Sequence, residues 1–411
     1  MNKLILSAKW ILANHDLDVI ENGALLIEDG KIVKVGDIAP EMQAGATCID
    51  FGDATILPGM IDAHMHTFGM DSTQLGGLFD ARETGRALCA ASELAEMLKA
   101  GFTATRCLGS SIGPDLARAI EAGQIQGPRL VAAGEFISSS HGTWGGIAKD
   151  QLPVGRACAV ADGPEGMRER VNDRIQEGAD FIKLGLSKGQ PDDSNKAWGD
   201  DPFGQALSMS DDEVAAAVDE AHKHGLKVSV HAIGDEAVAQ ALRNKVDIVE
   251  HGYAISEQTR QQLASTQTPV VTTLSQIYFH QQAYDAFNYT QQDRASYDRH
   301  WAAMQQSLKA GMKAGIKFIL GTDLVGKPTH PLALAAKEFE LVAQAGMPPH
   351  QALKAGTVLA AILLGIGNET GALQAGLSAD VVVVRGNALD NVKSLQDPIW
   401  VAKAGEIISL D

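Results

Sequence analysis

The sequence predicts an α/β protein: a (β/α)8 TIM barrel with a small β-sandwich domain formed from both chain termini. Three observations point there. The middle of the chain alternates short β-branched runs with alanine-rich helical runs, the pattern of parallel βα units. Both ends read instead as short strands joined by turns. The 411 residues exceed one small domain and suit one large barrel with a satellite.

The terminal elements come first. Residues 4–13, 23–28 and 31–35 carry apolar alternation, with Asp29-Gly30 as a hairpin turn. The same texture returns in 380–385 (DVVVVR), in 399–404 and, after the turn at Gly405-Glu406, in 407–410. The expected division gives 1–55 and 356–411 to the β domain and 56–355 to the barrel.

Eight barrel strands are expected at 56–66, 103–108, 129–137, 181–186, 227–231, 248–251, 270–274 and 317–323. Helices are expected between them at 92–100, 166–177, 211–224, 236–244 and 301–314. A closed barrel typically takes about 250 residues or more with insertions, which this middle segment supplies. A doubly wound open sheet is the alternative. It would show fewer strands and a glycine-rich phosphate turn, and no G-x-G-x-x-G follows the first strand.

The formal net charge of -17 argues against a nucleic-acid partner, because no basic patch is available to neutralise phosphates. Cys48, Cys89, Cys107 and Cys158 are scattered, with no C-x-x-C pair, and read as buried free thiols of a reducing compartment. The opening run MNKLILSAKWILANHD is interrupted by Lys9 and lacks a small-residue cleavage site. No stretch approaches the length of a transmembrane helix. The expectation is a cytoplasmic protein with a small-molecule substrate, no membrane partner, and assembly into a homo-oligomer.

The strongest local signal is Asp62-Ala63-His64-Met65-His66, at the end of the first barrel strand. Side chains alternate along a strand, so His64 and His66 share a face and can hold one metal ion. An H-x-H pair alone is weak, since two polar residues at a strand end look the same. Other residues strengthen it. Lys183 sits inside the apolar strand Phe181-Ile182-Lys183-Leu184-Gly185. A buried lysine is costly to keep charged, so it should be neutral or modified. A neutral amine can take up carbon dioxide, and the resulting carbamate is an anion able to bridge two cations. The bland alternative is a lysine snorkelling from a strand end. His231, His251 and Asp323 end the fifth, sixth and eighth strands. Each alone is more often a satisfied polar residue at a loop start. Together they fall on the catalytic face of one barrel.

H-x-H on strand one, Lys on four, His on five and six, and Asp on eight resembles the pattern of the binuclear amidohydrolase superfamily. The segments PGMIDAHMH, FIKLGLSKG, VHAIGD, VEHGY and GTD are most similar to its imidazolonepropionase-related branch, which includes prolidase-like and Xaa-Arg/Lys dipeptidases. The resemblance covers the whole chain. It implies that His64, His66 and Asp323 bind the more buried of two divalent ions, with zinc expected. His231 and His251 would bind the second, and Lys183, carrying carbon dioxide as a carbamate, would bridge both together with a hydroxide. Two cations lower the pKa of a shared water, and the exposed one polarises a carbonyl oxygen. Asp323 then takes the proton and passes it to the leaving amine. The expected reaction is hydrolysis of an amide-type C–N bond, in a dipeptide or N-acyl amino acid. Cyclic amides, carbamates and ureas are the alternative on the same site. No arginine stands in an obvious motif for binding a carboxylate.

The resemblance also places His141, in Ser138-Ser139-Ser140-His141-Gly142, and Tyr253 against the substrate carbonyl or carboxylate, with His330 a weaker candidate. Either could instead be a structural loop residue. His222 and His224 repeat the H-x-H spacing but fall at a helix C-terminus, where cations favour the dipole. His15, His280, His300 and His350 have no supporting context in the sequence. Residues 187–208 and 276–301 read as pocket-shaping loops. The second holds four of the five tyrosines, which suits a lid over an apolar group and an oligomer interface equally.

Two further readings are weaker. A mononuclear deaminase would carry a glutamate shortly after His231, where His231-Ala232-Ile233-Gly234-Asp235 has none. A non-catalytic assembly protein on a decayed barrel would have lost ligands, and all six are present.

Overall fold

The computed structural model describes residues 3–69, 82–140, 142–143, 158–188 and 201–410. Strands and helices are mixed along the chain, so the protein is α/β. Its first five strands are β1 (Lys3–Ala13), β2 (Asp18–Glu28), β3 (Lys31–Gly36), β4 (Thr47–Asp50) and β5 (Ala54–Pro58). Together with the last three, β18 (Val381–Arg385), β19 (Pro398–Lys403) and β20 (Glu406–Ile408), they form one eight-stranded sheet. Its order is β20-β19-β18-β5-β1-β2-β3, with β4 beside β1. The two termini are thus joined in one sheet through the β5–β18 ladder. Asp29 and Gly30 both have positive φ, 48° and 78°, the conformation a tight two-residue hairpin turn needs.

The run Val381-Val382-Val383-Val384 is apolar on both faces because both are covered. Val381 and Val383 pack into the core of the terminal sheet with Leu6, Leu25 and Ile56. Val382 and Val384 pack into the largest core, with Leu94, Phe102 and Phe339.

The middle of the chain builds two parallel sheets. One contains β6 (Met60–Met65), β7 (Phe102–Cys107) and β8 (Arg129–Ala132). The other contains β9 (Phe136–Ser138), β10 (Cys158–Val160), β11 (Ile182–Gly185), β14 (Val228–Ala232), β15 (Ile248–His251), β16 (Val270–Thr272) and β17 (Phe318–Leu320), in the order β10-β9-β11-β14-β15-β16-β17. A short hairpin, β12 (Ser187–Lys188) and β13 (Ala206–Leu207), follows β11. The chain passes from the first of these sheets to the second between β8 and β9. The two sheets meet beyond β17, where Met65 bridges Leu324 in parallel and His66 N–H donates to the Leu324 carbonyl at 2.8 Å.

Two strands expected to be continuous are broken. The segment 56–66 divides at Gly59 into β5, in the terminal sheet, and β6, in a parallel one. A Cβ on Gly59 would lie 2.0 Å from Thr103 Oγ1, so the chain crosses Thr103 only where no side chain exists. The segment 129–137 divides around Gly134, whose φ is +71°. The helix Asp211–Lys223 shows why the helical segments fold as they do. Ser210 and Glu213 form a reciprocal capping box at its start, worth about 1 kcal/mol. Val214, Ala217, Val218 and Ala221 then form one buried stripe against Val228 and Val230. The helix Val358–Leu364 packs against Ile61 and Ile319 from the other side.

Candidate metal centre

The strand ends converge on Asp323. His64 Nε2 lies 3.2 Å and His66 Nε2 3.0 Å from Asp323 Oδ1. His64, His251 and Asp323 each offer a ligand atom, all within 4.8 Å of one another. The His64 and His251 rings are 4.9 Å apart, and His231 and His251 are 4.6 Å apart. Close approach of these strands needs Gly321. A Cβ there would fall 2.6 Å from His64 Cβ. Backbone geometry turns two of the side chains. His251 has φ 71° and Asp323 has φ 55°, conformations uncommon for residues other than glycine and concentrated at functional sites. Alternation along β15 would put Glu250 and His251 on opposite faces. The turn at His251 brings both into the centre.

Each of three imidazoles is held from behind by its Nδ1. His64 Nδ1 meets Glu250 Oε2 at 2.7 Å, His66 Nδ1 meets the Gly109 carbonyl at 2.9 Å, and His251 Nδ1 meets Thr273 Oγ1 at 2.8 Å. That leaves Nε2 as the outward nitrogen, the arrangement metal-ligating histidines adopt. Burial, reinforced by the nearby Lys183 amine, lowers His231 to about 3. Burial and the neighbouring His231 hold His251 well below the ordinary imidazole range. Both are therefore neutral, the form in which an imidazole ligates a metal. Burial opposes ionisation of Asp323, but His64 and His66 outweigh it and hold its carboxyl well below the usual range.

Lys183 is buried, and among the described residues its Nζ has no hydrogen-bond partner. Burial lowers its amine to about 8, with Arg106 acting in the same direction. An unpaired amine in a dry site is expensive. This orphaned nitrogen, the neutral imidazoles and the Asp323 carboxylate fit a site for divalent cations.

Sequence reasoning missed the supports. Glu250 is fully buried beside the candidate ligand it precedes. It accepts hydrogen bonds from Arg106 and Ser229 as well as facing His64. Arg106, also buried, donates through Nε to the Ala63 carbonyl at 2.7 Å and lies over the Phe181 ring. Asp62 accepts from Thr322 Oγ1 at 2.6 Å and from His64 N–H at 3.0 Å, tying β6 to the Asp323 segment. Burial pushes its carboxyl up to about 7. The signal for Glu250 was present: an acidic residue inside an apolar strand is as costly as Lys183 and needs a partner.

Of the other candidates, His141 lies outside the described residues, as do Trp198 and the rest of 189–200. Tyr253 is buried, and its hydroxyl is 2.7 Å from His300 Nδ1. His330 is buried, with Nδ1 against Thr329 Oγ1 at 2.7 Å and Nε2 donating to the Gln276 carbonyl at 3.2 Å. The aromatics after β16 pack on one another. Tyr297 stacks on His280 at 4.3 Å, and Tyr284 and Tyr289 close around it. His222 pairs with Asp247 and His224 with Glu220, on the surface and away from the centre. All four cysteines are free, but only Cys107 and Cys158 are buried; Cys48 and Cys89 are exposed, contrary to the expectation for them.

Residues 55–409 match the amidohydrolase family over nearly the whole chain. This chain belongs to the amidohydrolase family. The ochratoxinase of Aspergillus niger is 29% identical over 419 aligned positions, covering 94% of this chain and 82% of that protein. The crystal structure of a prolidase complexed with N-methylphosphonate-L-proline superimposes with a TM-score of 0.88 at 27% identity, covering 99% of this chain and 100% of that one. A Xaa-Pro dipeptidase with methionine in its active site gives 0.85 at 26% identity, covering 99% of both chains. As an amidohydrolase, the protein is a hydrolase of carbon–nitrogen bonds. Its family uses metal ions, and His64, His251 and Asp323 form a group able to hold one.

Proposed function

We propose that this amidohydrolase is a binuclear enzyme that cleaves the amide bond of a dipeptide or N-acyl amino acid. The observation that carries the reading is Lys183 Nζ, buried without a hydrogen-bond partner among the described residues, beside the neutral imidazoles of His231 and His251. A carbamate on that amine would satisfy the nitrogen and supply an anionic metal ligand. His64, His66 and Asp323 would hold one divalent ion and His231 and His251 the other, with zinc the metal expected. Bound there, such ions acidify water and polarise a carbonyl.

The chain's own groups do the rest. Asp323 is held ionised, so it can accept the proton of the attacking water and deliver it to the nitrogen as the C–N bond breaks. Glu250, Gly109 and Thr273 fix the imidazole orientations. His141 and Tyr253 are assigned to the substrate carbonyl or carboxylate, with the Tyr253 hydroxyl anchored by His300. The same reading joins the two parallel sheets into one closed (β/α)8 barrel, sealed by the β8-to-β9 passage and the Met65–Leu324 bridge. The terminal strands, folded around a single core, are its small β domain. The similarity to a prolidase and a Xaa-Pro dipeptidase supports an amide next to a carboxylate. No described helix is long and apolar enough to cross a membrane.

The test is amine release from a panel of dipeptides, N-acyl amino acids, carbamates and ureas, using protein produced with added zinc and bicarbonate. Release confined to substrates with a free α-carboxylate supports the reading. Release only from carbamates, ureas or lactams moves the enzyme to the alternative substrate class.

A further inference from the structure

Thr273 stands between two elements. The β16–β17 ladder ends at the pair Thr272–Leu320, and the helix Leu274–Ala283 begins two residues after Thr272. Thr273 is the N-cap of that helix, with φ −154° and ψ 46°. A threonine at that position ordinarily turns its hydroxyl onto the free N–H groups of its own first turn. This one makes no such bond. Its Oγ1 lies instead 2.8 Å from His251 Nδ1, and both residues are buried.

The capping falls to Glu338, on the helix Lys337–Gln344 and 64 positions from Leu274. Its side chain is buried. Oε1 accepts from Leu274 N–H at 3.0 Å, and Oε2 accepts from Ser275 N–H and from Ser275 Oγ, both at 2.7 Å. A carboxylate placed there satisfies N–H groups that have no partner within the helix, and it faces the positive end of the helix dipole. Packing alone holds this segment less firmly. Thr272, Thr273 and Leu274 line a cavity together with Ser307 and Phe318, and Glu338 is not among its walls. The bonds from Glu338 to the two residues after Thr273 therefore fix where the threonine hydroxyl points.

We propose that Glu338 is a positioning residue for the metal centre: by capping the helix after β16 from a distant element, it leaves the Thr273 hydroxyl to orient His251. The inference rests on the reading of His251 as a metal ligand given above. Two tasks that a single threonine cannot perform at once are divided between a hydroxyl and a carboxylate. The relay runs from Glu338 to the backbone of Leu274 and Ser275, through Thr273 Oγ1, to the imidazole.

The test is a double-mutant cycle on the full chain, stripped of metal and titrated with zinc against a competing chelator. Thr273→Val should weaken zinc about tenfold or more, the usual effect of losing a group that orients a ligand. Glu338→Gln keeps the shape but sets an amide against at least one helix donor, and should weaken zinc about fivefold. In the Thr273→Val background, Glu338→Gln should cause no further loss of zinc affinity, because the relay is already cut. Its effect on melting should be the same in both backgrounds, since capping the helix does not need the threonine hydroxyl. Wild-type zinc affinity in Glu338→Gln, or an equal further loss beside Thr273→Val, overturns the proposal and leaves the reading of the centre standing. A wild-type chain that takes up no zinc removes that reading and the proposal with it. If Glu338→Gln does not fold, Ser275→Ala, which deletes one of the three bonds from the helix side, takes its place in the cycle. It must weaken zinc in the wild-type background alone, and failure to do so overturns the proposal equally.

Discussion

The Glu250 carboxylate stands 2.7 Å from His64 Nδ1, and both side chains are buried. The pair joins a metal-ligand candidate on β6 to the residue preceding another on β15. Arg106 closes the arrangement from β7 and keeps the Glu250 carboxyl well below the usual range against the opposing effect of burial. One carboxylate thus orients His64 and neutralises a buried guanidinium at once.

Replacing it tests both jobs. Glu250→Gln keeps the shape and removes the charge, leaving Arg106 uncompensated. Metal affinity should fall about 10–100-fold, the usual effect of losing such a support. The variant should also lose about 3–5 kcal/mol of stability, as when one partner of a buried ion pair is removed. Chelator competition and denaturant unfolding read the two effects. Wild-type metal affinity would remove Glu250 from the metal centre.

Lys183→Ala should lose metal from one or both sites. Carbon-13 NMR after reconstitution with labelled bicarbonate should show a carbamate signal in the wild type that is missing from the variant. Two tightly held metals with full activity in Lys183→Ala would end the bridging role.

Asp323→Asn keeps size and hydrogen-bonding capacity but cannot accept the proton. The fold, read by circular dichroism and melting, should persist while turnover falls by a factor of about 100 or more. Unchanged kcat would take Asp323 out of proton transfer.

Tyr253→Phe deletes the hydroxyl facing His300. Losing one buried hydrogen bond should cost about 1 kcal/mol in unfolding free energy. A raised KM on the true substrate is expected beside it. Wild-type kinetics with only the stability loss would make Tyr253 a packing residue.

Glu93 supplies a pH test away from the ligands. It is buried on the helix Glu83–Lys99, accepts the Lys327 N–H, and leaves no room for a Cβ on Gly326. Burial pushes its carboxyl up to about 7, opposed by the Lys327 contacts. The native state therefore holds a proton that the unfolded chain releases above about 4.5. Stability should fall as pH rises from about 4.5 to about 7, by at most about 3 kcal/mol, and then level off. Glu93→Gln should flatten that part of the profile. Parallel wild-type and variant curves would show that Glu93 titrates normally.

Much of the architecture was legible because its signals are local. The valine run of DVVVVR, the hairpin turn at Asp29-Gly30 and the helical run 211–224 each depend on residues a few positions apart. The strand breaks at Gly59 and Gly134 were not legible, because they answer to Thr103 and to the join between two sheets.

The sequence by itself determined which residue types end the parallel strands, and so the family: His64, His66, His231, His251 and Asp323 at the ends, with Lys183 inside an apolar run. Only the tertiary structure decided how those groups are held. Glu250 reaches His64 across 186 positions of chain, and Arg106 reaches Glu250 across 144. Tyr253 turns to His300, and His280 gains its tyrosine frame only when the segment after β16 folds back on itself. Spacing along a strand dictates the face a side chain takes. Which buried acid, hydroxyl or ring meets it there follows from the packing of distant strands, because a buried polar group must find its partner in space rather than in sequence.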